Sequence, residues 1–145
     1  MPIEGHFTVE MPGRPNVSTI RQQTAYGYAI QHSVTFDQNV GPSFSAYSTD
    51  FPPKAKVGGD SLVLLNRVRE NILQDGHMKL MHSMVVTQAG LTGIEFACDK
   101  PEDGRMLFRC FIANNRLYTL WVGPVTEDDE NDAKVQHFFD SFKIE

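Results

Sequence analysis

The stretch from Gly90 to Val122 constrains the fold more than any other, because it reads as three strands joined by two short turns. From Leu91 to Asp99 the side chains alternate with the two-residue period of a β-strand. The segment Lys100 to Gly104 then breaks this period with a proline and an Asp-Gly pair, both of which favour turns. A second strand follows over Arg105 to Ala113, and Asn114-Asn115 is a two-residue connection that accepts positive φ twice. We therefore predict an antiparallel meander of three strands.

The lengths of the two turns fix how the three strands align. The apolar residues of the first two strands share a face only if the sequence numbers of each pair of facing residues add up to an even number. This requires a loop with an odd number of residues. A three-residue loop with a glycine bulge is the common solution. The two-residue turn at Asn114-Asn115 then aligns the third strand. The predicted pairs are Cys98 with Met106, Ile94 with Cys110, Glu95 with Arg109, Ala113 with Arg116, Ile112 with Leu117, Cys110 with Thr119, and Phe108 with Trp121.

This alignment gives the meander two different faces. We expect the first face to be core beneath a helix, and it comprises Ile94, Phe96, Cys98, Met106, Phe108, Cys110, Ile112, Leu117, Thr119 and Trp121. The second face surrounds a Glu95–Arg109 pair with Leu107, Phe111, Tyr118, Leu120 and Val122. This second face is too apolar for open water and too mixed for a sealed core, so we expect another element to cover it in part.

The rest of the chain supplies further strands and two helices. Alternation and turn residues predict strands over Phe7–Met11, Asn16–Thr24 (an edge strand), Tyr26–Phe36, Ser43–Ser48 and Met78–Thr87. Phe51–Gly59 has no period and is predicted to be a mobile connection.

Helical spacing predicts one helix that begins at an N-cap at Asp60 or Ser61 and ends at Gly76, a left-handed C-cap. A second helix is predicted to begin at a Thr126 cap, with the acidic residues Glu127 to Glu130 at its positive end. Its core stripe is Val135, Phe138, Phe139 and Phe142. The order of strands, helix, strands and helix favours an α+β fold, an α/β/α sandwich with a central, mainly antiparallel sheet. At 145 residues we expect a single domain over residues 1–145.

Charge and composition exclude several classes of function. The net charge of −5 and the scattered basic residues argue against nucleic-acid binding, which needs clustered Lys and Arg. No apolar run approaches the length of a membrane-spanning helix, and no signal sequence opens the chain. We therefore expect a soluble protein, cytoplasmic as written or exported if a leader upstream of Met1 was removed. Cys98 and Cys110 fall about four residues out of step on neighbouring strands, which predicts two buried free thiols.

Three motifs together carry a family resemblance. Gly90 to Phe96 (GLTGIEF), Asn114 to Tyr118 (NNRLY) and the terminal Phe138 to Lys143 (FFDSFK) resemble the bacterial PsbP-like domains, and Phe7 to Gly13 (FTVEMPG) is similar to the first strand of that group. These domains share a fold with the PsbP subunit of photosystem II, the yeast Ran-binding import factor and the DcrB-like proteins. The resemblance implies an α/β/α sandwich and, in general, a non-catalytic role in binding or assembly. It carries over no functional residue.

The residues offer few candidates for chemistry. The Glu95–Arg109 pair is either an anchor for a ligand or partner or an ordinary cross-strand stabiliser, and we favour the second interpretation. Phe111, Tyr118 and Leu120 would line an apolar groove if the second face is open, although packing under a helix is the default. We predict no catalytic residue, since no serine or cysteine lies in a nucleophile motif. The five histidines are dispersed and the acidic cluster lacks the pattern of a calcium loop, so we predict no metal site and no cofactor.

The leading hypothesis is therefore a non-catalytic binding or assembly module that acts through contacts with another protein. The alternative is a carrier of a small apolar ligand in the groove on the second face. A third hypothesis, an unrecognised hydrolase, requires His32, His77 or His82 to lie within hydrogen-bond reach of a hydroxyl or carboxylate in an open cleft. The oligomeric state and the partner do not follow from the sequence.

Overall fold

The computed structural model describes residues 7–24, 27–38, 41–50, 61–113, 116–126 and 132–144. The described strands are β1 (Phe7–Thr8), β2 (Asn16–Thr24), β3 (Gly27–Phe36), β4 (Ser43–Asp50), β5 (Lys79–Gln88), β6 (Leu91–Lys100), β7 (Gly104–Ala113), β8 (Arg116–Val125) and β9 (Lys143–Ile144). The helices are α1 (Ser61–Gly76) and α2 (Ala133–Asp140). Four predicted features lie outside the described residues: the Asn114-Asn115 turn, the connection Phe51–Gly59, the Asp60 cap of the first helix and the acidic cluster Glu127 to Glu130.

Seven strands form one antiparallel sheet in the order β2-β3-β4-β8-β7-β6-β5. The meander has the predicted register. Glu95 pairs with Arg109 and Cys98 with Met106, and Lys100 pairs with Gly104 across a three-residue loop. On the other side of β7, Cys110 pairs with Thr119. The parity argument is therefore confirmed, because a loop of another parity would turn every apolar side chain of β7 to the other face.

The two helices pack on opposite faces of this sheet. The face under α1, which we call the α1 face, joins Leu65 and Leu73 of the helix to the predicted core residues Ile94, Phe96 and Phe108. Phe96 and Phe108 stack with ring centroids 4.9 Å apart. The opposite face, the α2 face, is covered by Val135, Phe138 and Phe139 of α2 and by Phe7 and Phe142. The predicted α/β/α sandwich is thus the observed architecture.

The α2 face differs from its prediction. Partial cover was expected, yet Phe111, Leu120 and Val122 are each 0% exposed and Tyr118 is 1% exposed. The extra cover comes from both ends of the described chain. The short β1 pairs with β9, which the sequence did not reveal, and this pairing places the Phe7 ring against Tyr118. The predicted strand over Phe7–Met11 is correspondingly shorter, because β9 offers only two residues for pairing.

The end of α1 corrects one prediction. The left-handed residue after α1 is His77, with φ 52°, and not Gly76. The bonds His77 N to Gln74 O and Met78 N to Leu73 O form the two-bond C-cap in which the residue after the helix takes positive φ. Asp132 caps α2, because its side chain accepts a hydrogen bond from Lys134 N. The helix start predicted at Thr126 involves residues 127–131, which lie outside the described residues. Phe142 follows the helix end and still completes its apolar stripe, being 2% exposed.

Candidate functional site

Arg109 is the centre of the strongest polar cluster in the described residues. Its Nη2 donates to Glu95 Oε1 at 2.9 Å, as the cross-strand pairing predicted. Its Nη1 donates to Gln88 Oε1 at 2.7 Å and to Asp140 Oδ1 at 3.1 Å. The guanidinium carbon lies 5.0 Å from the centroid of the Phe139 ring. We call Gln88, Glu95, Arg109 and Asp140 the Arg109 network.

The Arg109 network binds three strands to the end of a helix. Gln88, Glu95 and Arg109 lie on β5, β6 and β7, and Asp140 is the last residue of α2. The Gln88 amide also donates to the backbone oxygens of Phe139 and Phe142, at 2.7 and 3.2 Å. A cation and a donor at a helix C-terminus are favourable, because the last carbonyls have no partner within the helix and carry partial negative charge.

The single guanidinium of this network is shared by two carboxylates, so the network carries a net charge of −1. The Arg109 side chain is 9% exposed and the Glu95 side chain 25%, whereas Asp140 is 69% exposed. A buried guanidinium that already holds two carboxylates and an amide leaves only its Nε, which is buried without a hydrogen-bond partner among the described residues. The arrangement suits the anchoring of α2 to the sheet better than the capture of an anion. Sequence reasoning found Glu95 and Arg109 and missed Gln88 and Asp140.

The apolar groove expected at Phe111, Tyr118 and Leu120 is filled by the protein itself. Phe142 stacks on Phe111 with centroids 5.3 Å apart and lies 5.6 Å from the Tyr118 ring. The physical reason is the α2 stripe, whose last aromatic residue follows the helix and enters the space that the sequence left open. These three predicted site residues are therefore core residues of the α2 face.

The β5 edge is the most apolar exposed part of the described sheet. We use this name for the outer side of residues 81–88. Strand β5 is the last strand of the sheet, and no described strand pairs with it on that side. Met81, Met84 and Val85 are 45, 54 and 57% exposed. A bulge between Leu80 and His82 interrupts the pairing with β6, after which seven residues pair without a break. Sequence analysis placed a strand here but did not identify it as an edge.

The described histidines are dispersed over separate elements, and His82 is exposed on β5. Within the described residues, the ring of His32 hydrogen-bonds only to Thr19 Oγ1, at 3.1 Å, and Thr19 lies on the exposed strand β2. His77 terminates α1, and His137 contacts Glu10 on the surface. No group of three potential metal ligands occurs in the described part of the chain.

Both cysteines are free and buried, as predicted. Burial disfavours the thiolate and raises the pKa of Cys98 to about 11 and that of Cys110 to about 12, with the nearby Asp99 carboxylate adding to the rise at Cys98. Neither thiol has the electropositive, accessible surroundings of a reactive cysteine.

A shallow surface cavity of about 180 Å³ lies where the chain before β2 meets the start of α2. Its lining mixes apolar residues with Asp132 and Lys134. Its volume is below the range typical of small-molecule sites. Neither described helix has the length and apolar character needed to cross a bilayer.

Comparison with known proteins identifies the fold. The solution structure of cyanobacterial PsbP (CyanoP) from Synechocystis sp. PCC 6803 matches 95% of this chain and 98% of its own, with a TM-score of 0.52 and 9% sequence identity. At this identity the match shows a shared fold, and the predicted PsbP-like α+β architecture is confirmed. No family model matches the sequence.

One relative is similar in sequence. The nitric oxide reductase FlRd-NAD(+) reductase of Aeromonas salmonicida is 29% identical over 109 residues, which are 75% of this chain. The chain spans about a quarter (24%) of the length of that reductase.

Proposed function

We propose that this PsbP-like chain is a non-catalytic binding module that holds a partner protein at the β5 edge. The observation that carries the proposal is the exposure of three large apolar side chains within five residues of a terminal strand, Met81, Met84 and Val85. An unpaired strand edge is a template for another strand, and proteins usually protect such edges with charges, prolines or covering loops. Here the stretch from Ser83 to Gln88 has no charged residue and no proline.

The β5 edge is favoured over the opposite edge of the sheet. Strand β2 also exposes apolar residues, with Val17 61% and Ile20 53% exposed. However, β5 is fastened to the interior, because Gln88 bonds both to Arg109 and to the end of α2. A strand held in this way loses little freedom when a partner binds, which favours affinity. Two of its three exposed apolar residues are methionines, whose flexible side chains adapt to varied partners.

The other functional hypotheses have less support. A carrier would need the groove at Phe111, and Phe142 occupies that space. A hydrolase would need a histidine paired with a hydroxyl or carboxylate in an enclosed cleft. His32 contacts the Thr19 hydroxyl, but Thr19 is exposed on the strand β2. His137 contacts the Glu10 carboxylate, but both side chains lie on the surface, 66% and 68% exposed. We propose no dinucleotide binding on the basis of the similarity to a reductase, because the sequence has no Gly-x-Gly-x-x-Gly motif.

Site-specific photo-crosslinking in the native cells tests the proposal. A photoreactive residue replaces Met84 on β5 or, as the matched control, Val17 on β2, since the two positions are 54 and 61% exposed. We expect discrete crosslinked protein products from position 84 that position 17 does not give. Identical product patterns from both positions, or none from position 84, would remove the β5 edge as the binding surface.

A further inference from the structure

The charges around the β5 edge indicate what kind of partner fits it. From Gly76 to Gly90 the chain contains one lysine, two histidines and no carboxylate, in a protein whose net charge is −5. Lys79 is exposed and makes no ion pair or side-chain hydrogen bond within the described ranges. This strand is therefore a locally cationic part of an acidic protein.

Both carboxylates of the neighbouring strand β6 form an ion pair with an arginine. Asp99 lies directly opposite Lys79 on β6, yet it pairs with Arg105 at 3.3 Å. Glu95 lies opposite Met84 and pairs with Arg109 at 2.9 Å.

The helix beside β5 follows the same pattern. Glu70 of α1 pairs with Arg69 at 2.9 Å, and Arg69 also donates to Ser83 of β5. The positive charge of Lys79 is thus left without an internal partner in the described structure.

We propose that the β5 edge accepts an extended, acidic segment of a partner protein, which pairs antiparallel with β5. This inference rests on the proposed function and specifies the chemistry of its partner. The unbroken stretch from His82 to Gln88 gives room for a strand of about seven residues, or roughly 23 Å. Met84 and Val85 lie on opposite faces of the sheet, so two consecutive apolar residues of the partner would each meet one of them. In an antiparallel arrangement, carboxylates at the carboxyl end of the segment would then lie beside Lys79 and His82.

The test uses a defined peptide and isotope-labelled full-length chain. The probe is an acetylated, amidated peptide of sequence Thr-Thr-Val-Val-Thr-Thr-Glu-Glu, and its match carries Lys-Lys in place of Glu-Glu. Titrations followed by NMR amide shifts should give saturable changes from Ser83 to Thr87, with the lysine peptide binding about tenfold more weakly. The variant Lys79→Glu should reverse this preference.

Paired variants locate the binding surface. Met84→Gln with Val85→Thr removes exposed apolar groups from β5 and should weaken binding of the acidic peptide about tenfold. The control, Val17→Thr with Ile20→Thr, makes the same kind of change on β2 and should leave binding within about twofold. All four positions are more than half exposed, so the fold should tolerate every change.

The possible results separate the two proposals. Equal binding of the acidic and basic peptides at β5 overturns the acidic preference and leaves the binding module standing. Binding of both peptides on β2, or of neither at β5, overturns both proposals. Sedimentation as a dimer without peptide, abolished by the β5 variant, identifies a second copy of this chain as the occupant and overturns the acidic segment.

Discussion

Replacing Arg109 with methionine should lower the free energy of unfolding by about 4 kcal/mol, because the change breaks the Arg109 network while keeping most of the apolar stem. Loss of one partner from a buried ion pair costs about 3–5 kcal/mol. The lower part of that range applies, since Glu95 is 25% exposed and gains hydration when its partner is lost. The hydrogen bond to Gln88, charge-assisted and only 2.7 Å long, adds to the loss. The contact with Phe139 contributes roughly a further 0.5–1 kcal/mol.

Urea unfolding followed by circular dichroism measures this change, and two further variants test its origin. Arg109→Lys keeps the charge but loses the planar fork, so it should recover only part of the stability. Asp140→Asn alters the most exposed member of the network, 69% exposed, and should cost no more than about 1 kcal/mol. If Arg109→Met costs under about 0.5 kcal/mol, the network does not hold α2 in place. If Asp140→Asn costs as much as Arg109→Met, the argument that exposure weakens the Asp140 contact is wrong.

Three further predictions concern backbone geometry and the thiols. Ala89 and Gly90 form a two-residue turn with φ of 53° and 77°, so Ala89→Asn should raise the unfolding free energy by about 0.5–1 kcal/mol in the same urea assay, and a decrease would contradict this turn geometry. Gly93→Ala should cost several kcal/mol or prevent folding, because the added Cβ would lie 2.5 Å from Cys110 O and from the Phe111 ring; a native-like melting temperature would refute the tight packing there. Burial raises the pKa of Cys98 to about 11 and of Cys110 to about 12, so on raising the pH the thiols ionise first in the unfolded chain. The free energy of unfolding should therefore fall from about pH 9 towards pH 12, and Cys110→Ala should make this fall smaller. A flat stability profile across that pH range would contradict the burial of both thiols.

The register of the meander was predictable because local rules determine it. Turn length sets the parity of the pairing, and one buried face makes any slip costly. These rules alone place Glu95 beside Arg109, and the observed distance of 2.9 Å agrees. The same rules predicted both core faces of the meander. Once the register of each strand is fixed, every side chain can point to only one side of the sheet.

The rest of the candidate site depends on contacts that no local pattern encodes. Gln88 reaches Arg109 across 21 residues, and Asp140 reaches it across 31. Each contact requires knowledge of where β5 and α2 dock. The run Met84-Val85-Val86 looks like a buried strand in the sequence, and the exposure of Met84 and Val85 follows only from the strand order. The end of α1 also depends on a contact that the sequence pattern does not show. The side chain of Met78 packs against Gly76, and the left-handed residue is His77 and not the predicted Gly76.

Under the proposed function, the β5 edge is where a domain with a filled core binds another protein. α1 and α2 pack on the two faces of the sheet, and Phe142 fills the space where a groove was expected. The remaining unpaired backbone groups of the seven-stranded sheet, within its described part, lie along β2 and β5. A strand added at β5 would pair with groups that Gln88 and Arg109 already hold in place, so the partner alone would pay the ordering entropy. Loosening the Arg109 network should therefore weaken partner binding, even though Gln88 is its only member on the strand that pairs with the partner.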